Sequence, residues 1–429
     1  MCEKHGIRKW MREEAGVLGG RTGRSTPAQK GKENGYGAES ERSLRRRRGP
    51  GLLMSTGDNN RTESNDSSAA GGPELLELLD GATGETSQIT EALEDLGAIV
   101  ADSNRSLDER LSAYEDIIDS EVGDTTLARA RNLEREVGLR QIYLKFEGGN
   151  PSGTQKDRIA FAQVMDALRR GFDEITLATC GNYGTAMALA ASLAGLKCLV
   201  HIPGEYHTRR VKEITDLGAE IVRVEGDYED AVEASRRLAE ERELYDANPG
   251  GANTGLQLTS YGAIAYELYD ELRDAPAAVA VPVSNGTTLA GIYKGFLSLY
   301  RRGKTSRMPR MVAGSSFRKN PIVQAFVKNA GTCEDLKRDR IRETKVNEPL
   351  VNRHSIDGDQ ALQAIRETGG WAGDSSDKEM LSFSRLLSER EGLNVLPAST
   401  AGFLALVRRH RAEPLANDRY VVLLTGRKA

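Results

Sequence analysis

Cysteine is scarce in this sequence, with four residues in 429, and Cys2, Cys180, Cys198 and Cys333 stand far apart without a C-x-x-C pair. That spacing argues against a structural zinc site or a disulfide framework and leads us to expect a reducing, cytoplasmic setting. Strong charge of one sign is missing too: the formal net charge is -4, which gives no reason to expect a nucleic-acid partner. No long apolar run is present. The longest, around 175–194, is broken by Cys180-Gly181-Asn182-Tyr183-Gly184, so no membrane span and no membrane partner are expected. The first residues lack the continuous apolar stretch of a secretory signal.

What is present points to a globular chain with an extension. A length of 429 residues exceeds one small core, and a 38% hydrophobic content is ordinary for packed domains. Residues 1–72 are rich in Gly, Ser, Arg, Asn and Glu and poor in large apolar side chains, which predicts a disordered, basic extension. Residues 1–53 hold 13 lysines and arginines against 6 acidic residues, and Arg45-Arg46-Arg47-Arg48 reads as solvated tail; Met54 would be a reasonable start. Residues 73–120 predict short helices on the outside of the main body. One carries Leu75, Leu76, Leu78 and Leu79, and another covers 107–118 with apolar spacing near three and four.

From Gln141 onward, short apolar runs alternate with helical patterns. Strands are expected at 175–178, 197–202, 219–224, 277–283, 310–314 and 419–424. Helices are expected at 157–171, 183–194, 207–217, 227–243, 288–302, 321–329, 358–368, 376–390 and 399–411. Such alternation predicts an α/β fold with parallel sheets, and two series of it predict two lobes with a cleft between them. The catalytic region would be 121–429, with a small lobe at about 172–250 and a large lobe formed by 121–171 plus 251–429.

Four stretches carry possible chemistry. In Asn150-Pro151-Ser152-Gly153-Thr154-Gln155-Lys156-Asp157-Arg158, turn formers lead into a lysine at a helix start. The positive end of a helix and desolvation between lobes both lower a lysine pKa, as amine nucleophiles require. Thr179-Cys180-Gly181-Asn182 follows a strand and opens a helix, which suits a carboxylate. Ser284-Asn285-Gly286-Thr287-Thr288 has the same setting and suits a phosphate, although it is neither a Walker loop nor a dinucleotide fingerprint. Thr425 sets a hydroxyl at the end of the last strand. Each stretch alone has an ordinary alternative: a surface lysine, a plain βα turn, or a strand cap.

Together and in this order, the four resemble the fold type II pyridoxal-phosphate (PLP) enzymes of the tryptophan synthase β-like superfamily, and most closely threonine synthases. Coverage runs from about Val122 to Arg427. Gly123-Asp124-Thr125-Thr126-Leu127 is similar to the family's opening G-x-T-P-L, with Thr126 in place of proline. Residues 150–158 resemble N-P-T-G-S-F-K-D-R with Thr154-Gln155 for Ser-Phe, and Cys180-Gly181-Asn182 resembles S-G-N. Glu391-Gly392 followed by Pro397-Ala398-Ser399-Thr400-Ala401-Gly402 resembles a further family stretch. Leu424-Thr425-Gly426 resembles the terminal T-G-H-G, with Arg427-Lys428 replacing His-Gly.

The resemblance implies a two-domain PLP enzyme with its site in the cleft. Lys156 would be the Schiff-base lysine and would move protons at the substrate α-carbon. Asn182 would bond the cofactor ring hydroxyl, and Thr425 would face the ring nitrogen. Ser284, Asn285, Gly286, Thr287 and Thr288 would hold the cofactor phosphate. Thr179, Cys180 and Gly181 would hold the substrate carboxylate. Arg158, Arg318 and Lys319 would receive a phosphate carried by the substrate. The implied activity is that of a lyase working by β/γ-elimination and replacement, as in threonine synthase. Serine/threonine dehydratase, β-replacement synthase and a non-catalytic binding protein of the same fold are the alternatives. The expected partner is a small, phosphorylated amino acid, and a homodimer is implied by family habit.

Overall fold

The computed structural model describes residues 87–179, 181–204 and 210–428. The expected extension at 1–72, the helix at 75–79 and Cys180 lie outside the described residues. Ten strands are found among them: β1 (Leu127–Arg129), β2 (Ile142–Phe146), β3 (Glu174–Ala178), β4 (Lys197–Pro203), β5 (Glu220–Val224), β6 (Tyr245–Asp246), β7 (Ala278–Pro282), β8 (Arg310–Ser316), β9 (Trp371–Ser375) and β10 (Tyr420–Leu424). The helices between them are α1 (Ser87–Ala101), α2 (Leu107–Glu121), α3 (Arg131–Val137), α4 (Lys156–Arg169), α5 (Asn182–Leu193), α6 (Arg210–Asp216) and α7 (Tyr228–Arg242). There follow α8 (Thr254–Leu272), α9 (Thr287–Arg301), α10 (Pro321–Val327), α11 (Gly358–Glu367), α12 (Asp377–Glu391) and α13 (Ala401–Ala412).

The strands form two sheets. One has the order β1-β2-β10-β7-β8-β9, and the other β5-β4-β3-β6. Only β1 with β2 is antiparallel; every other described pair is parallel. This is the α/β fold expected from the alternation.

Strands covered on both faces must be apolar throughout, which is why β7 (AVAVP) and β10 (YVVLL) are continuous runs with every residue buried. Their side chains still alternate. Val279, Val281, Val421 and Leu423 enter one core with Phe161 of α4 and Tyr261 of α8. Ala278, Ala280, Val422 and Leu424 enter another with Met380 of α12 and Phe403 of α13. The first core also takes Tyr114 and Ile117 of α2, both with no exposure. The segment lies on the outside, as expected, and buries one face. Its Tyr114 ring stacks on Phe161 at 6.0 Å, and the Tyr114 hydroxyl donates to the Ala190 carbonyl. Burying side chains of this size is worth roughly 1.5–3 kcal/mol each, which explains the docking of a mostly polar helix.

The longest helix among the described residues, α8, was not evident from periodicity, because Gly262 interrupts its apolar residues. The tertiary structure explains Gly262. The Cβ that a substitution would place at Gly295 of α9 falls 2.5 Å from the Gly262 carbonyl oxygen, so the two helix backbones touch. Other helix starts are sealed by side chains: Ser106 with Glu109 at α2, Asp227 with Asp230 at α7, and Ser376 with Glu379 at α12 all form capping boxes.

Candidate active site

Three neighbouring parallel strands, β2, β10 and β7, end on the same side of the larger sheet. The segment after β2 leads to Lys156, β10 ends at Thr425, and β7 ends at the 284–288 loop. Residues far apart in sequence thus meet at the carboxyl ends of adjacent strands, where open α/β sheets bind ligands. The lysine segment is laced to the chain end. The Gln155 N–H donates to the Thr425 carbonyl (3.0 Å), the Arg427 N–H to the Gly153 carbonyl (2.9 Å), and Thr154 bridges Gly426. On the far side, the Leu396 N–H donates to Gly426 and the Lys428 N–H to Asn394.

A cavity of about 100 Å³ is lined by Gln155, Lys156, Asn182, Thr425 and the loop Ser284, Asn285, Gly286, Thr287, Thr288. A larger cleft of about 620 Å³ shares Lys156, Asn182, Ser284 and Asn285 with it and adds Thr179 and Gly181. Lys156 stands at their junction. The residue is half-buried, and its Nζ lies 5.6 Å from the centroid of the Tyr183 ring. Burial of the amine lowers its pKa to about 8, and the nearby Asp357 carboxylate opposes that shift. An appreciable fraction is therefore neutral near pH 8, as a nucleophile must be.

No side chain caps α4, α5 or α9, the three helices that open at this site. The first N–H groups of α5 and α9 remain for a ligand, whereas those of α4 donate to Thr154 and Gln155. At the start of α9, Gly286 has φ of +93°, and a Cβ there would lie 2.9 Å from Ala361 Cβ and 2.9 Å from the Asp357 carbonyl oxygen. Both its conformation and its space require glycine. The Thr425 hydroxyl is 3.0 Å from that of Ser399. Thr179 is buried, and its hydroxyl accepts from the Gly181 N–H. Lys156 and the nine other described residues expected at the cofactor and substrate carboxylate therefore line one connected space.

The three cations expected at a substrate phosphate are elsewhere. Arg158 is buried among carboxylates: its Nε is 2.6 Å from Glu147 and its Nη1 2.6 Å from Glu267. Lys145 joins Glu267 at 2.6 Å, and Thr125 donates to Glu147 at 2.7 Å. Arg158 thus anchors α4 to α8 and to the turn that follows β2. Arg318 is exposed, with its guanidinium 5.0 Å from the Phe317 ring centroid. Lys319 donates to the Arg342 carbonyl. None of the three lines either cavity. The outer wall of the cleft is instead built from Asp227, Glu229, Glu343 and Glu348 with Arg338 and Arg353. Arg338 pairs with Asp227 at 2.7 Å, and Arg353 with Asp335 at 3.2 Å.

Several site residues escaped the sequence. Tyr183 sat in a motif whose backbone attracted the attention. Asp357 had no motif, though an aspartate before the helix expected at 358–368 was a signal. The wall residues 338–353 lie in a segment without regular spacing.

The sequence profile described as "Pyridoxal-phosphate dependent enzyme" matches residues 118–426. A threonine synthase of Methanocaldococcus jannaschii is 30% identical over 305 residues, covering 71% of this chain and 74% of that protein. Among solved structures, maize serine racemase superposes with a TM-score of 0.63 at 18% identity, covering 74% of this chain and 92% of that one. The processed form of threonine deaminase isoform 2 from Solanum lycopersicum gives 0.60 at 15% identity, covering 76% and 91%. At these identities the structures establish the fold. Among the described residues, no helix is long and apolar enough to cross a membrane.

Proposed function

The chain belongs to the family of pyridoxal-phosphate dependent enzymes, and from that premise we propose that it is a lyase acting on an amino acid by β/γ-elimination and replacement, in the manner of threonine synthase. The cofactor is pyridoxal 5'-phosphate. The described residues fit it: an enclosed amine, an uncapped helix start at a tight glycine, and a strand-end hydroxyl bound one space. The observation that carries the proposal is the position of Lys156 at the junction of that small cavity with the larger cleft.

When bound, the cofactor withdraws electrons from the substrate α-carbon. Every other part falls to the chain. Lys156 would hold the cofactor through Nζ, and its free amine would take and return the α-carbon proton of the substrate. The N–H groups of Gly286, Thr287 and Thr288, with the hydroxyls of Ser284 and Thr288 and the Asn285 side chain, hold the cofactor phosphate. The Asn182 amide bonds the ring hydroxyl. Thr425 meets the ring nitrogen with a hydroxyl, which cannot keep that nitrogen protonated as a carboxylate would. That choice suits elimination better than transamination. Thr179, Cys180 and Gly181 hold the substrate carboxylate at the start of α5.

For O-phosphohomoserine, the cations that line the larger cleft besides Lys156 are Arg338 and Arg353. A second reading, dehydration of serine or threonine, is favoured by the four carboxylates of the same wall, which disfavour a phosphorylated substrate. Incubation with O-phosphohomoserine decides between them. Release of phosphate with formation of threonine supports the first reading. Ammonia from serine or threonine, without phosphate release, moves the assignment to the second.

A further inference from the structure

A carboxylate stands beside the cradle that should bind a phosphate. Asp357 is 3% exposed, and its Oδ2 accepts the Thr287 hydroxyl at 2.5 Å. Its backbone N–H donates to the Asn285 carbonyl at 2.9 Å, so the residue is built into the loop from two sides. Thr287 lines the small cavity and opens α9. A threonine hydroxyl has one proton to give. While Asp357 is ionised, it accepts only, and it takes that proton. The Thr287 hydroxyl then has only lone pairs left to turn toward a phosphate oxygen, and a second negative charge stands behind it.

We propose that Asp357 is a proton-linked positioning residue of the cofactor-phosphate cradle, whose protonation reverses its hydrogen bond with Thr287 and returns the Thr287 hydroxyl proton to the phosphate. The balance is simple. One proton arrives from solvent on the Asp357 carboxylate, the acid donates to Thr287 Oγ, and the Thr287 hydroxyl donates to a phosphate oxygen. Phosphate binding is then coupled to uptake of one proton at Asp357.

The surroundings favour that uptake. Burial raises the Asp357 pKa, while the Thr287 hydroxyl, Lys294 and Lys156 oppose the rise. Thr287 and Lys294 face it from α9 and Lys156 from the start of α4. On its own side, Gln360 Nε2 donates to its Oδ1 at 3.3 Å. A bound phosphate adds negative charge and raises the pKa further. The inference rests on the cofactor assignment but on no particular substrate.

The test uses the full chain freed of cofactor and pyridoxine 5'-phosphate, which keeps the ring and phosphate but has no aldehyde for Lys156. Its dissociation constant is measured against pH for the parent protein, Asp357→Asn and Thr287→Val. Where Asp357 is ionised in the free protein, one linked proton weakens binding by about tenfold per pH unit beyond the ligand's own titration. Asp357→Asn can donate to Thr287 at every pH, so it removes that component and binds more tightly at the alkaline end. Thr287→Val reduces it, because the hydrogen-bonded part of the link passes through the hydroxyl and only the charge repulsion is left, and it binds more weakly at the acid end. Thr287→Val keeps the test decisive even if the asparagine variant folds poorly. Binding with both variants parallel to the parent across the pH range overturns the inference alone. Absence of binding by the folded parent overturns the cofactor assignment and the inference with it.

Discussion

Replacing Arg158 by methionine would leave Glu147 and Glu267 buried, with Lys145 as their remaining cation in the cluster. In the intact protein, Arg158 makes two contacts of 2.6 Å and two of 2.9 Å to these carboxylates, at 3% side-chain exposure. Removing one partner of a buried pair costs about 3–5 kcal/mol, because the stranded charge keeps its desolvation penalty. Against a typical total of about 5–15 kcal/mol, that is a large share. Urea unfolding followed by circular dichroism reads the loss directly. The double variant Arg158→Met/Glu267→Met should lose less than the sum of the singles, since the stranded charge goes with its partner. The pH dependence supplies a second check. Burial would raise the Glu267 pKa, yet Arg158 and Lys145 hold it down to about 2. In the parent, the stabilisation from this group is present above its ordinary pKa of about 4.3 and is lost as pH falls through about 2. Without Arg158, burial gains weight and the carboxyl accepts a proton more readily. The destabilisation of Arg158→Met should therefore shrink as pH falls below neutrality. A variant with stability within about 1 kcal/mol of the parent and a raised KM would refute this reasoning and return Arg158 to the substrate.

The Lys156 amine reacts only when neutral, so capture of added cofactor by the stripped protein should accelerate up to about pH 8 and then level. Borohydride followed by peptide mapping should find the cofactor on Lys156, and a label on another lysine contradicts the assignment. Gly295→Val places a side chain where a Cβ already lies 2.5 Å from the Gly262 carbonyl. Overpacking of this kind costs about 1–3 kcal/mol or more. Thermal unfolding should fall accordingly, and an unchanged midpoint would mean that α8 and α9 can separate freely.

The sequence by itself determined the local elements. Continuous apolar runs became buried parallel strands, as β7 and β10 illustrate, because a strand covered on both faces has no polar side. Turn formers before Lys156 and small residues at 284–288 announced helix starts, and both occur. Those features depend on a few neighbouring residues, so spacing alone reveals them. Tertiary structure decided the rest. It inserted the last strand, β10, between β2 and β7, which brings Thr425 to Lys156 across 269 positions of chain. It also sent Arg158 into a buried ion cluster instead of the cleft and set Asp357 against Thr287. Charges and single hydroxyls act through whichever groups the folded backbone brings within a few ångströms, and that adjacency is written in no local stretch of sequence.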